Sequence, residues 1–135
     1  MTAVLDTNVI IRHLTQQPAD QGQAASHFLG EAQGLVLTDM IVAETVHVLQ
    51  SVYKASRETV VYALRALVAM RSVSIERSQV IKRCIDLFET AQMDFTDAYL
   101  VAYAESMGGV PVASFDRGID KAVAKASPVK RLDPR

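Results

Sequence analysis

Four acidic residues lie at positions where a surface carboxylate is not expected. Asp6 comes directly after the apolar run "AVL", which predicts a short buried strand, and Asp116 follows the run "VPVAS" within two residues. Glu44 interrupts the apolar stretch "MIVAETVHVL", and Asp97 begins the apolar face of "DFTDAYLVAYA". Burial of an unpaired carboxylate is unfavourable, and grouped carboxylates repel each other unless a cation joins them. The four acids together therefore predict a site that binds a cation.

Convergent carboxylates indicate which kind of cation this site prefers. Oxygen ligands suit a hard divalent ion, so we expect Mg²⁺ or Mn²⁺ rather than zinc. The chain has a single cysteine, Cys84, which can form neither an intramolecular disulfide nor a cysteine-based zinc centre. Cys84 lies on an apolar helical stripe, where we expect it to pack in the core. A reducing cytoplasm is the compartment that fits this cysteine usage.

Each acid also has a purely structural interpretation. Asp6 can cap a helix that starts near Asn8, and Asp116 can cap a turn over 117–120. Asp94 and Asp97 have the spacing of a capping pair, and Glu44 can pair with a basic side chain. These interpretations explain the acids one at a time. They do not explain why all four can reach one edge of a single sheet.

Short apolar strands alternate with amphipathic helices along the chain. The pattern predicts strands over 2–5, 35–38, 73–75, 110–114 and, more weakly, 128–132. It predicts helices over 20–32, 39–53, 57–70, 79–91 and 96–107, with Ser56 and Ser78 as N-caps of the third and fourth. This alternation implies parallel strands joined by helices that cover both faces of the sheet. We therefore expect an α/β fold, a three-layer α/β/α sandwich with a central parallel sheet, in one domain over 1–135.

The carboxyl ends of the strands are the expected meeting place of the acids. Ligands of open parallel sheets bind outside these ends, and Asp6 and Asp116 both follow strands. Glu44 lies at the edge of the inward stripe of its helix, because Ile41 and Val48 are its i−3 and i+4 neighbours. The elements therefore predict that the acids reach the same edge of the sheet.

Charge is distributed unevenly along the chain, although the formal net charge is −1. Residues 1–50 contain one Lys or Arg, Arg12, against five acids, whereas residues 117–135 contain six Lys or Arg against two acids. This asymmetry suits an acidic site with a basic rim that holds a polyanion. An unevenly charged solvated surface is the plainer interpretation. No apolar stretch approaches the ~20 residues of a membrane span, and we expect no signal peptide.

The four motifs, in this order, resemble the PIN-domain family, in particular the VapC-like ribonuclease toxins of type II toxin–antitoxin modules. The segments similar to the family's four acidic motifs are "VLDTNVII", "AETVHVL", "DFTDAYLVAYA" and "SFDRGID". The resemblance covers nearly the whole chain. It implies a metal site formed by Asp6, Glu44, Asp97 and Asp116. Asn8 resembles the residue that positions the first carboxylate, and Ser114 and Arg117 resemble the polar and basic residues that flank the last acid.

The resemblance also implies an activity. A VapC-like toxin is a Mg²⁺- or Mn²⁺-dependent endoribonuclease that cleaves cellular RNA, usually tRNA or rRNA, with metal-activated water. Such toxins commonly form homodimers and are inhibited by a cognate antitoxin. The alternative is a PIN fold that binds RNA or protein without cutting. A phosphatase of the haloacid dehalogenase type is disfavoured, because Asn8 occupies the position where that class needs a second Asp.

Overall fold

The computed structural model describes residues 2–135, which divide into two compact units, one that ends at Ser78 and one that spans Gln79–Arg135. Strands and helices alternate in both units. The first unit contains β1 (Ala3–Val4), α1 (Thr7–Thr15), α2 (Ala19–Glu31), β2 (Leu35–Val36), α3 (Asp39–Ser51), α4 (Arg57–Ala69) and β3 (Val73–Ser74). The second contains α5 (Ser78–Thr90) apart from its first residue, α6 (Phe95–Ser106), β4 (Val112–Ala113), α7 (Gly118–Val123) and β5 (Arg131–Leu132).

The first unit is built on a three-stranded parallel sheet in the order β1-β2-β3. Its register pairs Ala3 with Leu35 and Leu35 with Val73, and Leu35 on the central strand is fully buried. Helical crossovers join consecutive strands, as parallel pairing requires. The prediction that the first strand is wholly buried is wrong at Val4, which is exposed. Side chains alternate between the faces of a strand, so only every second residue of this run enters the core.

Two helices begin at hydroxyl caps that satisfy backbone amides left free at a helix start. The Thr38 hydroxyl accepts a hydrogen bond from the Ile41 amide at the start of α3, and the Ser56 hydroxyl accepts one from the Thr59 amide at the start of α4. The predicted cap at Ser56 is therefore confirmed. The predicted cap at Ser78 is wrong, because Ser78 is already the first helical residue of α5.

Helices α1 and α7 are absent from the predicted helix ranges. The α1 sequence "TNVIIRHLT" is rich in β-branched residues, which favour strands when judged by propensity alone. Its helical form is stabilised instead by burial of Ile10 and Ile11. The α7 helix spans only six residues and shows too little periodicity to be detected. In both cases packing, rather than local propensity, supports the helix.

In the second unit β4 pairs with β5 in parallel, so the weakly predicted last strand is present within its predicted range. Phe88 and Phe95 pack edge to face in the core, with ring centroids 5.5 Å apart. Cys84 is fully buried, as predicted.

A charged network holds three segments of the second unit together. Arg83 donates to both carboxylate oxygens of Glu105, at 2.7 and 3.0 Å, and to the Ala126 carbonyl at 2.7 Å. The Ser127 hydroxyl donates to the same carboxylate at 2.6 Å. The Arg83 hydrogen bonds lower the pKa of Glu105. The network links α5 and α6 to the segment that leads into β5.

The predicted α/β fold class is confirmed: helices alternate with strands, and the strand pairs within residues 2–135 are all parallel. The strands form a three-stranded sheet in the first unit and a two-stranded sheet in the second. The assignment of 1–135 to a single domain stays a prediction. None of the helices in residues 2–135 has the length and hydropathy needed to cross a membrane.

Candidate functional site

Asp6 lies where β1 leads into α1. The Leu5 amide still donates to the Val36 carbonyl, so strand pairing continues up to the residue before the acid. Asp6 occupies the N-cap position in an extended conformation, with φ −94° and ψ 152°. Its exposed carboxylate caps none of the helical amides that the structure describes. The purely structural interpretation of Asp6 is therefore not supported, and this carboxylate is available to a ligand.

Three of the sequence-predicted residues line one cavity of the first unit. The cavity has a volume of about 310 Å³, and Asp6, Asn8 and Glu44 all contribute to its wall. Glu44 reaches it from α3, where its carboxylate is exposed between the half-buried Ile41 and Val48. No hydrogen bond or ion pair within residues 2–135 engages Glu44, so the interpretation that it pairs with a basic side chain is not supported. This cavity presents carboxylate and amide oxygens together.

Two further residues of this cavity were not assigned to the site from the sequence. Thr7 is buried, and its hydroxyl has no hydrogen-bond partner among residues 2–135. Arg12 lines the same wall and donates from Nε to the Gln21 side chain at 2.8 Å. Arg12 therefore adds one basic residue to the lining of this cavity. Arg12 was detectable in the sequence as the single Lys or Arg of the first fifty residues.

The second unit holds a cluster of three carboxylates: Asp94, Asp97 and Asp116. Asp97, on the first turn of α6, is half-buried, and this burial is the main cause of its raised pKa. The negative charges of Asp94 and Asp116 raise the pKa further. Asp94 occupies the N-cap position of α6, but its side chain makes no capping hydrogen bond within the described chain. Asp94 therefore occupies the predicted N-cap position, but the predicted capping hydrogen bond is not formed.

Hydrogen bonds fix the loop that carries Asp116. The Asp116 amide donates to the Ser114 hydroxyl at 2.9 Å, and the Gly118 amide donates to Asp116 Oδ1 at 2.8 Å. A Cβ at position 118 would lie 3.0 Å from the same oxygen, so glycine lets the carboxylate fold back over the start of α7. The capping interpretation of Asp116 is thus correct for one oxygen. A carboxylate has further lone pairs with which to bind a cation.

Arg131 supports this loop from β5. Its Nε lies 3.1 Å from both carboxylate oxygens of Asp120 on α7, and it donates through a terminal nitrogen to the Ser114 carbonyl at 2.8 Å. The Arg131 side chain is only 10 % exposed. Arg131 is therefore a structural cation that positions the loop, and its inclusion in the basic rim is corrected. Composition alone does not distinguish it from its exposed neighbour Lys130.

The carboxylates of both units are donors of the kind that the expected metal prefers. Within residues 2–135, no three His, Cys, Asp or Glu side chains approach closely enough to hold an ion. The donors nevertheless fit a hard divalent cation in kind, because they are carboxylates. Burial raises the pKa of Asp97, and the negative charges of Asp94 and Asp116 raise it further. In the second unit, a cation bound at Asp97 would relieve the repulsion from Asp94 and Asp116.

Comparison with known families gives one match over most of the chain. The model of a family described as "PIN domain" matches residues 3–125. This match confirms the family-level resemblance. No curated protein matches the chain.

Proposed function

The chain belongs to the PIN-domain family, and from this premise we propose that it is a Mg²⁺- or Mn²⁺-dependent endoribonuclease of the VapC-like toxin type. Family membership indicates nuclease activity in general. The observation that supports a metal-dependent activity is the group of carboxylates around Asp97. Burial and the two neighbouring acids, Asp94 and Asp116, raise the pKa of Asp97. Carboxylates that concentrate negative charge in this way can bind a divalent cation, and the bound cation can in turn bind a phosphodiester.

In this proposal the chain supplies the ligands and holds them in position. The residues that would hold the ion are Asp6, Glu44, Asp97 and Asp116. Asn8 shares a cavity with two of them, and Ser114 holds the backbone amide of a third. When bound, Mg²⁺ or Mn²⁺ polarises a phosphoryl oxygen and generates a water-derived nucleophile at neutral pH. The ligand set suits one ion or two.

The experiment that tests this activity is metal-dependent cleavage of RNA. We expect the purified chain to cut a bulk tRNA or rRNA preparation in Mg²⁺ or Mn²⁺, and to lose that activity in EDTA, because no hydrolytic nucleophile forms without the ion. Re-addition of the metal should restore cleavage. Cleavage that continues in EDTA would contradict the metal mechanism, and RNA binding without cleavage would indicate the non-catalytic PIN domain.

Exposed cations in the last part of the chain are proposed to bind phosphates. Arg117, Lys121, Lys125 and Lys130 are all exposed in the second unit. Reversing these charges should weaken RNA binding to a similar extent for different sequences. The slope of the logarithm of the binding constant against the logarithm of the salt concentration should become shallower by about 0.7 for each phosphate that is no longer neutralised. Anisotropy titrations at several salt concentrations measure the slope. Lys82→Glu, an exposed charge on α5, is the matched control, and an unchanged slope after reversal at all four positions would contradict the proposal.

The toxin assignment adds partners to the proposal. Two helices of the first unit leave apolar side chains exposed, including Tyr62 at 80 % exposure. A groove of about 530 Å³ beside them is lined in part by Leu49, Tyr53 and Ala63. Exposed apolar surface of this kind marks an interface. We propose that the chain forms a homodimer in the cytoplasm and that a cognate antitoxin inhibits it by presenting a basic side chain to the acids.

A further inference from the structure

Phe115 exposes its ring beside the acidic cluster of the second unit. It lies between Ser114 and Asp116 and is 62 % exposed, whereas the other aromatic side chains of residues 79–135 are buried or half-buried. The guanidinium carbon of Arg135 lies 5.4 Å from the centroid of this ring. Neither Phe115 nor Arg135 is among the proposed metal ligands or among the four cations proposed to bind phosphates.

Arg135 is held in place over the ring by Asp133. Its Nε and a terminal nitrogen donate to the two carboxylate oxygens of Asp133, at 3.2 and 3.0 Å, and its backbone amide donates to the same carboxylate at 2.9 Å. These bonds to Arg135 lower the pKa of Asp133. An arginine with three such bonds is oriented before any ligand arrives. The ring retains its large exposure even with this cation over it.

We propose that Phe115 and Arg135 form a stacking platform for an unpaired nucleobase of the RNA substrate. Unpaired bases are recognised by stacking on aromatic rings and on guanidinium planes, which is the combination that this pair offers. This inference rests on the proposed ribonuclease function and deepens it.

The platform lies next to the acid that ends the same loop. Consecutive Cα atoms are about 3.8 Å apart, so a base on Phe115 places its own or the adjoining phosphate near Asp116. The hydrogen bonds of Ser114 and Gly118 to Asp116 hold this bend, and Arg117 is exposed at the next position. Three successive residues therefore offer a stacking face, a carboxylate and a phosphate contact. It follows that the chain selects RNA whose nucleotide beside the cut is unpaired.

The test compares binding of two RNAs in EDTA, which prevents cleavage. One is a fluorescein-labelled hairpin with an unpaired loop, and the other is the same stem as a fully paired duplex. We expect the chain to prefer the hairpin, and Phe115→Ala to weaken hairpin binding roughly 5- to 100-fold while leaving duplex binding unchanged. Phe115→Tyr should retain the preference, and Arg135→Gln should lose part of it. Met107→Ala, which removes an apolar side chain that is 59 % exposed in the same unit, is the matched control.

A second variant separates stacking from simple apolar contact. Phe115→Leu keeps an apolar side chain but removes the ring, so we expect it to bind the hairpin as weakly as Phe115→Ala; binding at the level of the unmodified chain would overturn the platform. Equal losses for hairpin and duplex would overturn it as well. If the unmodified chain cleaves RNA and Phe115→Ala binds the hairpin unchanged, only the platform is wrong. If the unmodified chain neither binds nor cuts RNA, the proposed function fails and the platform fails with it.

Discussion

Replacement of Asp97 by asparagine is expected to reduce RNA cleavage by more than about 100-fold, since even changes outside the ligand shell of a metal site lower activity roughly 10- to 100-fold. The same substitution is expected to stabilise the metal-free chain at neutral pH. Asp97 is half-buried beside Asp94 and Asp116, so its charge is unfavourable in the folded state. The amide removes that charge and retains the shape of the side chain. Loss of activity and gain of stability should therefore occur together.

The pH dependence of this stability gain follows from the raised pKa of Asp97. Folding raises the pKa of Asp97 above its ordinary value of 3.8, so loss of the proton disfavours the folded state. The free energy of unfolding therefore falls as the pH rises from 3.8 to the raised pKa, and this loss is complete above it. Below pH 3.8 the carboxyl is protonated in both states, and the difference from asparagine disappears. The advantage of Asp97→Asn is therefore present at neutral pH and is lost on acidification.

Denaturant unfolding in EDTA across this pH range measures the stability, and RNA cleavage in Mg²⁺ measures the activity. Asp20→Asn, an exposed acid on the first turn of α2, is the control and should change neither quantity appreciably. An active Asp97→Asn variant would remove Asp97 from the catalytic set. An inactive variant that is destabilised at neutral pH would indicate that Asp97 has a structural role instead.

Expression of the chain alone in a bacterium is expected to arrest growth, because a ribonuclease that cuts tRNA or rRNA stops translation. Asp6→Asn should relieve the arrest by removing one proposed metal ligand, while Asp20→Asn at the same expression level should remain toxic. Co-expression of the small open reading frame adjacent to the gene should also relieve it, if that frame encodes the antitoxin. Growth curves with immunoblots for expression level give the comparison.

The same proteins test the proposed assembly. Light scattering after size-exclusion chromatography should give the mass of a dimer, and the chain co-expressed with its neighbour should elute as a larger complex without nuclease activity. A chain that is monomeric, harmless to growth and indifferent to the neighbouring frame would contradict the toxin assignment. It would leave the PIN-domain membership intact, since that rests on the family match.

Part of the candidate site could be predicted from local sequence. Asp6 was selected by its place after a strand and Glu44 by its place within an apolar helix, whereas Asn8 came only from the family resemblance. The structure finds all three in the wall of one cavity. The sequence predicted that the four acids lie away from the open surface, and this prediction was less accurate. Only Asp97 is half-buried, and the other three proposed ligands are exposed. Helical spacing indicates which face a residue occupies, but it does not indicate how completely a neighbour covers that face. The roles assigned to these acids stay predictions.

By itself, the sequence determined the fold class and most element positions. The predicted helices over 39–53 and 57–70 are α3 and α4 to within two residues at each end. Apolar periodicity and capping residues are properties of near neighbours in the chain, so they can be detected without coordinates. The α1 helix was missed because its β-branched residues favour a strand locally, whereas burial in the folded chain decides for the helix.

Only the tertiary structure decided which charged and aromatic side chains are free to act. Lys130 and Arg131 are consecutive cations, yet the first is exposed, whereas the side chain of the second is only 10 % exposed and contacts the loop of the fourth acid. Arg135 similarly lies over Phe115, far from it in the chain. Composition and periodicity carry no information about such pairs. Burial and charge pairing depend on atoms from distant segments, and folding alone determines which of those segments meet.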